Sequence, residues 1–383
     1  MKKRGKKSKF TSKSKKALSK LKKKSKGKVG LYLFVFLLTI NVVLAGLTVA
    51  KSRGLLIPGQ PDPVVVNNVV DLDDLTLEQK IAQMVVVLGV EYYSTPLRKM
   101  QLGGIHLHAM KGIEQFHKVV GKFQEGMEIP FFVTVDLEGC VNPFSSFMEF
   151  QLASEVESIG DSFQKGKSEG KFLSELGATI NFAPVVDLDD QIWNCRSFKG
   201  DKEKVSELAN AYVLGLQDEG IIATAKHYPG KTLVIKDPHK FLAAAEITED
   251  DLYPYDFLIE KDSIKAIMIS HLITYGKVNS EGKPSDASQR ITDELIAKYD
   301  GLIVTDEINM LGMRNFYGSL DEMYLEVFKA GPDIVLNFNS DPNEIYRMIL
   351  LIKEAVKDGD ISEKRIDKSV KKILEAKGFI VKD

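Results

Sequence analysis

From about residue 75 onward the chain alternates between two hydrophobic patterns. Short apolar runs rich in β-branched residues recur near 85–88, 104–107, 131–135, 179–182, 221–225, 266–269, 302–304 and 334–336, each of strand length. Between them lie amphipathic segments at 113–124, 150–176, 202–218, 250–261, 292–298 and 319–330, followed by two more at 342–357 and 362–377. A first helix is predicted over 77–84, with Thr76 as its cap. Strands alternating with helices imply a parallel sheet, and eight such units in about 310 residues fit an α/β (β/α)8 TIM-type barrel. An open doubly wound sheet is the alternative fold. Its nucleotide-binding version is weakened because no glycine-rich phosphate motif follows a strand.

The ends of these runs carry the candidate chemistry. The third ends in Asp136-Leu137-Glu138-Gly139, the fourth leads through Pro184 to Asp187, the fifth ends in Lys226-His227, the sixth in Ser270-His271 and the seventh in Thr305-Asp306-Glu307. A strand has to end in something polar, but five such ends opening on one barrel face predict an active site there. The fifth run stops at Pro229-Gly230, and the loop beyond it returns Asp237 and His239 around Pro238. Residues two apart in an extended segment face the same way, so carboxylate and imidazole can form an acid/base dyad. Asp306, following its strand directly, has the profile of a carboxylate nucleophile held on rigid backbone. Donors and acceptors for sugar hydroxyls are expected from Lys226, His227, Asp136 and Arg196.

Charge divides the chain unequally. Residues 1–28 carry about 15 Lys and Arg and no acidic residue, although the whole chain has a net charge of only -1. An uncharged apolar run follows over 29–50, long enough to span a bilayer, and its basic leader predicts a cytoplasmic N-terminus with the rest outside. The reading is a basic cytoplasmic tail over 1–28, a transmembrane signal anchor over 29–50, a linker over 51–71 and a catalytic barrel over 72–383. A cleaved signal peptide is the alternative to the anchor. Attraction to anionic lipid accounts for the basic tail without nucleic acid as a partner. No CxxC or HExxH spacing is present, so no metal and no cofactor is expected; His106, His108 and His117 read as surface or core histidines.

Together Lys226-His227-Tyr228-Pro229-Gly230, Asp237-Pro238-His239, Val135-Asp136-Leu137-Glu138-Gly139, Arg196-Ser197-Phe198 and Thr305-Asp306-Glu307 resemble glycoside hydrolase family 3, in its single-domain bacterial β-N-acetylhexosaminidase branch, over about 75–378. The resemblance implies Asp306 as nucleophile, His239 as general acid/base, Asp237 as its partner, and Asp136, Arg196, Lys226 and His227 as substrate ligands. It also implies removal of terminal β-linked N-acetylglucosamine, often from cell-wall glycan or muropeptide fragments, without a metal. The membrane is expected as a partner through the apolar run alone, and the sequence does not reveal the oligomeric state, a monomer being the expectation. Where the family usually has a further Arg after Glu138-Gly139, this chain has Pro143 in a loop one residue shorter. Lys231-Thr232 also replaces the usual pair after Pro-Gly. These departures bear on substrate identity. Cys140 and Cys195 both neighbour implied sugar ligands, and a disulfide between them could brace the two altered loops, but the sequence alone leaves the pairing open. Other sugar specificities, a phosphorylase, and a glycan-binding protein without turnover stand as alternatives.

Overall fold

In a computed structural model, residues 12–188, 193, 195–230 and 242–382 are described. The chain forms two units, divided after Leu56. The first contains the helix Ser12–Ser52, whose Leu31–Ser52 part, 22 residues long, includes an 18-residue window with a mean hydropathy of 2.5 and no buried share. At about 1.5 Å per residue it is long and apolar enough to cross a membrane. Its few polar side chains bond back to carbonyls one turn earlier: Thr39 Oγ1 donates to Val35 O at 2.8 Å and Asn41 Nδ2 to Leu37 O at 2.7 Å. That leaves little polar surface for lipid to meet.

The second unit is built on the expected apolar runs. All eight form parallel strands: β1 (Val85–Leu88), β2 (Gly104–His106), β3 (Phe132–Val135), β4 (Ile180–Asn181), β5 (Ile222–Tyr228), β6 (Ala266–Ile269), β7 (Leu302–Glu307) and β8 (Ile334–Leu336). They close into a barrel in chain order, with β8 paired to β1. The TIM-type fold is therefore the observed one, and the doubly wound alternative is excluded. Both faces of these strands are covered, which is why their sequences run continuously apolar instead of alternating.

Most helices begin where capping chemistry predicts. Thr76 Oγ1 accepts from Gln79 N while the Gln79 side chain accepts from Thr76 N, a reciprocal cap on Leu77–Gln83. The 150–176 helix is shorter than expected: Ser158 caps it, and it runs Ile159–Leu176. Phe150 is nevertheless core-facing, packing against Phe172 and Phe144, so its apolar character belongs to a loop. The helices Ile159–Leu176 and Lys202–Asp218 approach closely through glycines. A Cβ on Gly166 would lie 2.2 Å from Tyr212 O, and one on Gly215 2.2 Å from Phe163 O.

Two small sheets escaped the sequence reading. Val69–Asp71 pairs with Val65–Val66 and with Ile380–Lys382, so part of the 51–71 stretch read as linker is built into the fold. Ala244–Ile247 pairs in parallel with Ile273–Gly276 outside the barrel.

Candidate active site

The C-terminal ends of the strands surround a cavity of about 360 Å³, lined by Asp136, Glu138, Arg196, Lys226, His227, Asp306 and Glu307 among its polar residues. Trp193, Phe182, Met268, Met310, Leu336 and Phe338 supply apolar wall. A cavity of this size with few converging polar groups suits a small ligand such as one sugar unit.

Lys226 is the hub. Its side chain is 4% exposed, and Nζ donates to Asp136 Oδ1 at 2.7 Å and pairs with Glu138. Arg196 Nη1 donates to the other Glu138 oxygen at 3.2 Å. Burial works against the lysine's charge, but the two carboxylates outweigh it and raise its pKa. Asp136 behaves reciprocally: burial would raise its pKa, and Lys226 together with His106 holds it below the usual carboxylate value. The loop carrying Asp136 and Glu138 is clamped from below. Asn181 on β4 accepts from Leu137 N at 2.9 Å and donates to Leu137 O at 3.0 Å, fixing the residue between the two carboxylates. Asn181 also donates to Tyr212 Oη at 3.1 Å, and that hydroxyl donates to buried Glu169 at 2.6 Å, tying the clamp to both glycine-packed helices.

His227 lies in the same cavity wall, and its Nδ1 faces Asp187 Oδ2 at 3.0 Å, while its backbone N–H donates to Asp187 Oδ1 at 3.2 Å. The carboxylate fixes the Nδ1-protonated tautomer, which puts the lone pair on Nε2. Burial, reinforced by the Arg196 and Lys226 cations, pushes this imidazole well below its ordinary pKa, so the ring is neutral. His106 is buried beside Asp136, with Nδ1 at 3.0 Å from Thr134 Oγ1, and burial lowers its pKa to about 4. His108 and His117 are exposed, as a surface reading requires.

Asp306, the penultimate residue of β7, is half-buried. Its Oδ1 accepts from Glu307 N at 2.7 Å. Burial would raise its pKa, but His271 and His227 with this backbone donor bring it below the usual value, keeping the carboxylate ionised. Glu307 differs: burial raises its pKa despite backbone donors from Asn309 at 2.8 Å and Phe338 at 3.0 Å.

Asp136, Arg196, Lys226, His227 and Asp306 thus line one cavity. Asp237 and His239 lie outside the described residues. Cys140 and Cys195 form a disulfide with Cα atoms 5.8 Å apart, joining the loop after Glu138 to the segment before Arg196. Among the described residues no cluster of three His, Cys, Asp or Glu is placed to hold a metal ion. Sequence reasoning assigned no role to Glu138, Asp187 or Asn181. The first two stand at strand ends and were visible as such; Asn181 reads as part of a strand, and nothing local reveals its hold on Leu137.

Comparison with known proteins adds a family to this geometry. The family description "Glycosyl hydrolase family 3 N terminal domain" matches residues 76–376. Beta-hexosaminidase LpqI of Mycobacterium tuberculosis is 26% identical over 332 residues, covering 79% of this chain and 83% of that protein. A beta-hexosaminidase of Haemophilus influenzae is 28% identical over 291 residues, covering 70% and 78% respectively. The solved structure of a glycoside hydrolase family 3 beta-N-acetylglucosaminidase from a Paenibacillus species aligns with a TM-score of 0.71 at 26% identity, covering 79% of this chain and 62% of that one. The chain belongs to glycosyl hydrolase family 3 and is a glycoside hydrolase.

Proposed function

We propose that the protein is a retaining exo-β-N-acetylglucosaminidase acting on terminal β-linked N-acetylglucosamine. The observation that carries the reading is an ionised Asp306 on the wall of a sugar-sized cavity shared with Lys226, Arg196 and Asp136. The names of the similar proteins, beta-hexosaminidases and a beta-N-acetylglucosaminidase, support the choice of sugar. In the first step an Asp306 carboxylate oxygen bonds to the anomeric carbon. The glycosidic bond breaks, and the leaving oxygen takes a proton from His239, oriented by Asp237. In the second step water attacks the same carbon, gives its proton to His239 and frees Asp306, so that two inversions retain the β configuration. Lys226 and Arg196 bind ring hydroxyls as donors, and Asp136 and the Nε2 lone pair of His227 as acceptors.

Residues 29–50 act as a signal anchor on this reading, with the basic tail cytoplasmic and the barrel outside, where peptidoglycan-type glycan is the substrate at hand. The supporting observation is the exposed apolar helix. Release of the aryl group from a nitrophenyl N-acetyl-β-glucosaminide by the full chain in detergent tests the activity. Turnover lost in Asp306→Ala is expected. A folded wild-type protein without turnover on this substrate, but active on another aryl glycoside, would overturn the sugar assignment.

A further inference from the structure

The proposed reaction leaves unused a buried charged pair that interacts with Asp306 from outside the residues lining the cavity. His271 lies two residues beyond the end of β6, and its side chain is 1% exposed; Asp286, on the short turn Ser285–Ala287, has a side chain with no exposure at all. The ring's Nδ1 lies 2.8 Å from Asp286 Oδ2, and its Nε2 lies 2.8 Å from the backbone oxygen of Glu307. A carbonyl has no proton to give, so Nε2 donates. Nδ1 sits at ion-pair distance from a buried carboxylate without being aligned to it as a hydrogen-bond donor, and the carboxylate's charge favours a second proton there, which makes the ring an imidazolium. The turn is pinned to the same strand end: Asp286 N donates to Ser270 O at 3.1 Å and Ser285 Oγ to Leu272 O at 2.7 Å.

Glu307 connects this pair to the reacting group. Its carbonyl accepts from His271, while its N–H donates to the Asp306 carboxylate at 2.7 Å. The polar chain therefore runs Asp286, His271, Glu307 backbone, Asp306, linking β6 to the end of β7. Removing an ion pair from water at this depth carries a desolvation penalty of several kcal/mol per ion, so its net contribution to stability is small. Its position beside Asp306 gives it a different role.

We propose that His271 is a positioning residue for the reaction, kept protonated by Asp286, which fixes the Glu307 backbone at the nucleophile and faces Asp306 with a permanent positive charge. The inference rests on the assignment of Asp306 as nucleophile. Burial alone would push the His271 imidazole down, but Asp286 outweighs it and raises its pKa to about 10. The ionisable groups around it are Asp286, Asp306 and Glu307, with His227 and Lys226 on β5 beyond Asp306 and Tyr317 near Asp286.

The test uses the full chain in detergent and an aryl N-acetyl-β-glucosaminide as probe. His271→Gln keeps a donor for the Glu307 carbonyl and removes the charge. Its kcat is expected to fall about 100-fold with KM within about threefold, in keeping with a slightly misplaced reacting group. The acidic limb of kcat/KM is expected to rise by about one pH unit as Asp306 loses its cation. Because that variant strands a buried carboxylate, His271→Gln with Asp286→Asn provides a charge-free pair, expected to move kcat and the acidic limb in the same directions. Wild-type kcat and an unmoved acidic limb in either folded variant would overturn the inference and leave the nucleophile untouched. Turnover persisting in Asp306→Ala would overturn both. Nitrogen-15 NMR of histidine-labelled wild-type protein does not depend on any variant folding: both ring nitrogens of His271 are expected to stay protonated through pH 8, and a neutral His271 ring at pH 7 would contradict the proposal.

Discussion

The two ends of the barrel hold very different cavities. The one at the N-terminal ends of the strands, lined by Phe132, Thr179, Lys265, Asp300, Lys372 and Lys377 among others, has about 1020 Å³ against about 360 Å³ at the mouth. Yet at the larger one the polar groups serve the scaffold. Lys372 Nζ donates to Gly301 O at 2.9 Å, and Lys377 Nζ donates to Gln83 at 2.8 Å above the Phe132 ring. At the mouth, charged side chains from β3, β5 and β7 converge across the smaller space. Volume separates the ends in the wrong order; convergence of ionisable groups separates them correctly.

The largest expected contrast is between Asp306→Ala and changes at the opposite end. Removing the proposed nucleophile is expected to reduce kcat at least about 10⁴-fold, read with the aryl glycoside, while the fold persists by circular dichroism. Next comes Lys226→Met, which leaves Asp136 and Glu138 without their shared cation. A loss of about 3 kcal/mol in urea unfolding is expected along with a raised KM. The pH dependence has a definite sign. Asp136 and Asp306 have folded pKa values below their unfolded ones, so the unfolded state takes up protons first as the solution is acidified. Their contribution to stability is present above about pH 4 and is lost below it.

Intermediate effects are expected from the disulfide, which closes a loop between residues 55 apart. Cys140→Ser with Cys195→Ser is expected to cost about 2–4 kcal/mol by thermal unfolding. KM should rise more than kcat falls, because the bridge steadies the loops carrying Glu138 and Arg196. The smallest effect belongs to Lys377→Met. Burial lowers the Lys377 pKa to about 7, so in the wild type the unfolded state binds the extra proton between about pH 7 and 10 and stability rises with pH across that window. The variant is expected to lose this slope while kcat/KM stays within about twofold. A large loss of activity would show that the two ends are coupled.

Much of this division was legible in the chain. Apolar runs such as Ala266–Ile269 and Ile334–Leu336 are strands over the residues the pattern predicts, because a strand covered on both faces must be apolar throughout. Residues that close a strand, such as Asp136, Lys226 and Asp306, were visible because polarity interrupts the run at a defined place. Partners supplied from elsewhere were not. His271 was visible at a strand end, but Asp286 meets it only after the chain has passed through the strand Ile273–Gly276 and back. Asn181 finds Leu137 across 44 residues. The outer pair Ala244–Ile247 with Ile273–Gly276 was missed because each strand has only four residues, and the alternation of exposed and buried positions in Ala244–Ile247 is too short to register in the sequence.

The central claim is that Asp306 attacks the sugar. Its most direct test is incubation of the full chain with an activated 5-fluoro N-acetylglucosaminyl fluoride, followed by proteolysis and peptide mass spectrometry. One glycosyl adduct per chain is expected, on the peptide containing Asp306 and on that side chain, accumulating as activity disappears. Labelling of a different carboxylate, or steady turnover that releases an α-configured product, would contradict the account.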